Sequence, residues 1–291
     1  MREWLIARNL RGALLAAGVA AAACSGPAPE QAPAAGPGAP YKATRLAGTD
    51  KPDLNGIWQT LTTANWDLQD HSADAGPVPR ATGMWGAQLP GQSVVEGGEI
   101  PYKPEAVAKR QENFKRRLEI DHDNLNAVGD PESKCYLPGV PRAAYLPLPF
   151  QILQGTDKVI MAYSFANASR TIPLDKPTEA PVDFWMGWSN GSWDGDTLVV
   201  DVKGFNDYTW FDRAGNYHSD QLHVVERYTP VTPYHLNYEA TIEDPQVFSR
   251  PWKISLPLYR RMEKDVQLLE FKCVDLSEEY VYGGLLRKPT N

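Results

Sequence analysis

The sequence predicts an all-β, mostly antiparallel domain, a closed barrel or a closely related sandwich, with one substantial helix near residues 103–121. Three observations carry this expectation. Beyond Cys135, short apolar runs follow one another with turn residues between them, the pattern of serial hairpins. The 291 residues include 25 Pro, 9 Trp and 13 Tyr, which suit strands, turns and ordered loops better than a helical bundle. A single segment, residues 102–122, combines a Pro in its first turn with helical spacing of Val107, Phe114 and Leu118.

The chain opens with Arg2, Arg8 and Arg11 and an apolar run over residues 12–23. That run is shorter than the about 20 apolar residues a membrane-spanning helix needs, so residues 1–23 read as a signal peptide. Ala21-Ala22-Ala23-Cys24 resembles a bacterial lipobox, which implies lipidation of Cys24. Ala21 stands where that motif usually has Leu, and a plain cleaved signal is the alternative. Ser25 in the position after Cys24 implies sorting to the periplasmic face of the outer membrane. Residues 24–52 are rich in Pro, Ala and Gly and read as an extended tether, and residues 53–291 as a single β-rich domain. Cleavage would remove three Arg and one Glu and move the net charge from −7 to −9.

Within the domain, residues 54–59 begin the first strand and residues 66–98 read as a long ordered loop. The basic face of the helix reads as solvated or paired with the acidic body. Residues 151–154 and 158–165 form a hairpin about Gly155-Thr156-Asp157, and residues 170–174 follow. Residues 184–193 and 197–202 pair about Asp194-Gly195-Asp196, a turn that tolerates positive φ. Residues 221–228 and 236–242 pair across a Pro-rich loop, and residues 253–256 and 267–273 complete the meander. With Cys24 lipidated, Cys135 and Cys273 remain as an even pair in an oxidising compartment, read as a disulfide, the alternative being two buried thiols.

Gly56-Ile57-Trp58 resembles the Gly-x-Trp opening of lipocalin-like barrels. Residues 54–287 resemble a family of exported bacterial proteins through the blocks LNGIW, KCYLPGVPR, GDTLVVD, TWFDRAGNYHSD, LHVVERY, YEATIEDP and RPWKISLPLYRR. The resemblance implies export; it transfers no activity and no functional residues.

An acidic balance, 29 Lys+Arg against 36 Asp+Glu, disfavours nucleic acid as a partner, because phosphate binding needs basic surface. The densest polar stretch is residues 207–227. On its strand, Asp220, Leu222, Val224, Glu226 and Tyr228 share one face and His223, Val225 and Arg227 the other. A carboxylate can orient an imidazole as a base, so His218 with Asp212 or Asp220 forms the candidate catalytic group, with Arg227 as anion stabiliser. The competing reading is an Asp–His bond that fixes a loop and a structural ion pair at Glu226 or Arg227.

Gly187-Trp188-Ser189-Asn190-Gly191 satisfies Gly-x-Ser-x-Gly but runs into a hairpin, where the nucleophile motif needs a strand-to-helix elbow. No cofactor is expected and no metal site is assigned: His218 and His223 have neither helical nor same-face spacing, the alternative being ligands from other segments such as His71 and His122, and no phosphate-binding Gly loop, dinucleotide fingerprint or Cys-x-x-Cys occurs. Trp185, Trp188, Trp210 and Tyr208, with His223 and Glu226, are the candidate ligand-binding residues, since aromatic walls with N–H donors suit small-molecule pockets. The sequence therefore supports a membrane-tethered lipocalin-like protein that binds a small apolar or aromatic molecule. The alternatives are a hydrolase, lyase or isomerase acting on such a molecule, and a non-catalytic envelope interaction protein.

Overall fold

The computed structural model describes residues 41–75, 87–117 and 129–273. The expected signal peptide, Cys24, the start of the tether and the last residues of the expected helix lie outside them. The chain enters through β1 (Gly56–Gln59), then the two-residue pair β2 (Asp74–Ala75) and β3 (Ala87–Gln88), then α1 (Pro104–Lys115). There follow β4 (Phe150–Gln154), β5 (Lys158–Tyr163), β6 (Ser169–Pro173), β7 (Trp188–Asp194), β8 (Thr197–Lys203), β9 (His223–Thr232), β10 (His235–Glu243) and β11 (Trp252–Arg260).

Apart from β2 and β3, all strands join one nine-stranded antiparallel sheet in the order β6-β5-β4-β1-β11-β10-β9-β8-β7. Two meanders, β4 to β6 and β7 to β11, are sewn together by β1. The sheet curls into a nearly closed barrel, with β6 and β7 as its two edges. Alternation puts Val224, Glu226 and Tyr228 of β9 inside, with Leu236, Tyr238, Ala240 and Ile242 of β10 beside them. The inward and outward faces expected for residues 222–228 are those observed. At the closing seam Gly191 removes the side chain that would separate the edges: a Cβ there would lie 2.7 Å from Ile172 and Leu174.

Trp58 is buried, donates its indole N–H to the Leu54 carbonyl at 3.0 Å and carries the Arg260 guanidinium 4.5 Å above its ring. This couples the first sheet strand to the last. Residues 41–52, expected as the end of the tether, form a turn closed by bonds such as Asp53 N–H to Thr44 O, and Ala43 and Pro52 are buried.

Three expectations need correction. Residues 267–273 do not form a strand: β11 already has β1 and β10 on its two sides, so no edge is free. That segment instead crosses the β5–β6 turn, with Phe271 N–H bonded to Ser164 O and Ala166 N–H to Phe271 O. The Pro-rich connection after residue 228 is shorter than expected: β9 continues to Thr232 and only Pro233 and Tyr234 turn into β10, with Pro230 tolerated beside a register shift at His235 and Leu236. In α1 the expected apolar stripe is not the buried one: Val107 and Phe114 are each 37% exposed, whereas Ala106 and Asn113 are buried. Small and amide side chains let the helix approach the 211–217 loop, where Asn113 donates to Gly215 O. Phe114 is covered from outside by Arg117, 4.1 Å from its centroid.

The basic face of the helix pairs with acids, Arg110 with Asp67 at 3.7 Å and Arg117 with Asp74 at 3.0 Å. Cys135 and Cys273 form a disulfide that spans 138 residues. Among the described residues no helix is long and apolar enough to cross a membrane.

Candidate functional site

A cavity of about 410 Å³ opens where β6 and β7 diverge beyond Gly191. One wall is β6, through Ser169, Arg170 and Thr171; the other is the turn into β7, with Phe184, Trp185 and Trp188. Met186 and Ser189 lie deeper, and Leu137 closes the side. Leu137 follows Cys135 on a segment pinned from below by Arg142. That buried guanidinium grips Asp130 with two bonds of 2.8 and 3.0 Å and reaches Glu132 at 2.7 Å and Asn65 at 2.8 Å. Tyr136 meets Trp185 edge-on at 5.1 Å, and Tyr208 lies 5.4 Å from Trp185 with its ring tilted by 35°. The cavity mouth is thus an aromatic cluster held by the disulfide-linked segment.

The local sequence explains the shape. Gly187 has φ of +64°, a conformation that favours glycine, and a Cβ there would collide with Phe205 and Val202 at 2.7 Å. Gly191 permits closure against β6. Both glycines of the Gly-x-Ser-x-Gly match are therefore accounted for by backbone geometry, and Ser189 sits near the start of β7 without a histidine partner among the described residues.

The floor is Arg170. Its Nε donates to Tyr163 Oη at 3.0 Å, Nη2 to Tyr228 Oη at 3.1 Å and to Met161 Sδ at 3.4 Å, and Nη1 to Ser189 Oγ at 3.4 Å. Nη1 also lies 2.6 Å from Glu226 Oε2, and Glu226 Oε1 accepts from Tyr228 and Tyr238, each at 2.9 Å. Burial, joined by the Glu226 charge, pushes the Tyr163 hydroxyl up to about 12, and burial drives Tyr228 and Tyr238 well above the ordinary phenol value. All three remain protonated donors at neutral pH.

Trp185 and Trp188 of the sequence candidates line this cavity, Tyr208 flanks it, and Glu226 lies beneath it through Arg170. Trp210 is instead buried in the core and bridges to Tyr217. His223 is on the outer face of the barrel, bonded to Asp201 at 2.9 Å and Glu243 at 3.3 Å. Arg227, also outside, pairs with Asp194 at 2.7 Å.

His218 is 1% exposed and makes no bond to Asp212 or Asp220. Its Nδ1 faces Ser219 O at 2.9 Å and its Nε2 faces Thr209 Oγ1 at 2.6 Å. The geometry assigns the proton to Nδ1, with the Thr209 hydroxyl donating to Nε2. Burial lowers its pKa, so the ring is neutral, packed between Phe205 and Phe211. Asp212 is fully buried elsewhere, accepting from Leu68 N–H at 2.9 Å and from the Asn216 side-chain amide at 2.6 Å. Asp220 is exposed beside Gln221 and Gln246.

Arg170, which lines the cavity, and Tyr163 and Tyr238 in the polar network beneath it, are not among the candidates read from the sequence. The signal was present: Arg170 occupies an inward position of an alternating strand, as Glu226 does on β9, and opposite charges on two buried faces mark an internal pair. No group of three or more His, Cys, Asp or Glu among the described residues is arranged to hold a metal ion. No family model matches the chain, and no curated protein matches it significantly.

Proposed function

We propose that this protein is an exported, membrane-tethered binding protein that holds a small apolar or aromatic molecule in the β6–β7 cavity. The observation that carries the reading is the cavity itself: about 410 Å³, walled by Phe184, Trp185, Trp188, Met186 and Leu137, within the size range of small-molecule sites. Its walls supply flat apolar surface, while the neutralised Arg170–Glu226 pair closes the bottom. The barrel fold is compatible with this use, and fold alone does not prescribe it. Export and the lipid anchor rest on residues 1–24 and on the block resemblance.

The test of binding is fluorescence titration with N-phenyl-1-naphthylamine, an uncharged apolar probe. Saturable enhancement that is lost in Met186→Trp, with far-UV and near-UV circular dichroism retained, supports the reading. An equal response from the filled variant sinks it. For the anchor, the mass of the mature N-terminus in wild type and Cys24→Ser decides: a diacylglyceryl-sized increment present only in wild type is expected, and an unmodified N-terminus overturns lipidation.

A further inference from the structure

We infer that the cavity selects an uncharged aromatic molecule bearing a hydrogen-bond acceptor, such as a ketone, ester or quinone oxygen, and excludes aromatic carboxylates. This rests on the reading of the cavity as a ligand site and adds the ligand's charge and polarity. An arginine in a pocket floor would ordinarily suggest an anionic ligand, because guanidinium and carboxylate pair in a bidentate fork. Here that fork is occupied. A guanidinium has five N–H donors; Arg170 donates to Tyr163, Ser189, Met161 and Tyr228, and its Nη1 is ion-paired with Glu226 Oε2.

The charge is balanced too. Glu226 lies 2.6 Å from Nη1 and is buried with it, so the floor carries no net charge. Among the described residues no other charged side chain lines the cavity. A ligand carboxylate would enter an apolar chamber as an unpaired charge, a costly transfer. A cation would find aromatic faces but would stand over the guanidinium, which repels it; Glu226 Oε1 already accepts from Tyr228 and Tyr238, and Oε2, which accepts no hydrogen bond, is held in the ion pair with Nη1.

What the lining does offer is donors. Ser189 Oγ accepts from Arg170, which leaves its own O–H proton without an acceptor among the described residues. The Trp185 indole N–H is likewise unengaged there, whereas that of Trp188 is taken by Thr178 at 2.9 Å. A flat ring system can stack against Trp185 and Phe184 and direct one oxygen at Ser189. A neutral hydrogen bond of this kind contributes about 0.5–1.5 kcal/mol, a few-fold to about tenfold in affinity.

The experiment is calorimetric titration of the purified protein with four size-matched probes: naphthalene, 2-acetylnaphthalene, 2-naphthoate and 2-naphthylmethyl-trimethylammonium. The ketone should bind about three- to tenfold more tightly than naphthalene, and both ions at least about tenfold more weakly than the ketone. In Ser189→Ala the ketone's advantage over naphthalene should shrink to within about twofold. Trp185→Phe, which keeps the ring and deletes the N–H, provides the same comparison if the serine variant fails to fold. If either ion binds as tightly as the ketone, or if neither variant alters the ketone's advantage, the selectivity is refuted while the cavity survives as a ligand site. If none of the four probes binds, the reading of the cavity as a ligand site falls.

Discussion

Arg170 on β6 and Glu226 on β9 meet across the interior of the barrel, Nη1 to Oε2 at 2.6 Å, although five strands lie between theirs in the sheet order. Both side chains are almost fully removed from solvent. Deleting one partner leaves the other as a buried uncompensated charge, which typically costs about 3–5 kcal/mol. Arg170→Met should therefore lower the urea unfolding free energy by about that amount. The double variant Arg170→Met/Glu226→Leu should recover most of the loss, because two apolar side chains leave no charge behind. A single-variant loss under about 1 kcal/mol would show that water reaches the pair.

The acid and neutral limbs of the stability profile should belong to different carboxyls. Burial, reinforced by Asp67, pushes Asp212 up to about 8. A carboxyl raised on folding favours the protonated native state, so this contribution is full below about pH 4 and is lost as pH rises through 8. Glu132 runs the other way. Burial alone would raise it, but Arg213 and Arg142 outweigh burial and hold it at about 2. Its contribution is present above the ordinary carboxyl range and is lost as pH falls towards 2. Chemical denaturation at stepped pH should show Asp212→Asn flattening the decline between pH 5 and 8, and Glu132→Gln flattening the decline below pH 4. Unchanged slopes in both variants would contradict these assignments.

The disulfide closes 138 residues of chain. Loop-closure entropy predicts a contribution of about 5 kcal/mol, an upper value since denatured chains retain structure. Cys135→Ser/Cys273→Ser should lower the urea midpoint accordingly. Proteolysis should then cut first near residues 262–273, which make no strand and lose their covalent link. The cavity mouth should loosen with it, because Leu137 and Tyr136 adjoin Cys135, and N-phenyl-1-naphthylamine affinity should fall several-fold.

Gly191 is the point at which the two sheet edges touch. Gly191→Val would drive methyl groups into Ile172 and Leu174, and overpacking of this kind costs about 1–3 kcal/mol. The wedge would also spread the seam next to the cavity. Loss of thermal stability together with altered probe affinity is the expected result. A variant with wild-type melting temperature would show that the barrel is not closed there.

The strands were legible from local pattern because a half-buried sheet writes its two faces into alternate residues. The 222–228 run, the 155–157 and 194–196 turns and the Pro104 helix start all depend on neighbours a few positions apart. What failed locally was decided at long range. Residues 267–273 carry strand-like composition, yet β11 had no edge left to offer. Val107 and Phe114 looked like a core stripe, yet the loop against α1 is approached closely only by Ala106 and Asn113.

The site divides in the same way. Trp185 and Trp188 line the cavity and Tyr208 flanks it, as clustering of aromatic residues along the sequence brings them to one place. His218 and Asp212 were drawn together by proximity along the chain, but tertiary packing gives His218 to Thr209 and Asp212 to Leu68 and Asn216. By itself, then, the sequence determined the class of fold, through side-chain periodicity and local turn chemistry, the cysteine pair, through cysteine count, and the aromatic segment that forms the cavity wall, through residue clustering along the chain. Only the tertiary structure decided that Arg170 and Glu226 neutralise one another beneath that wall, because strands far apart in the chain become neighbours across the bore only when the sheet curls.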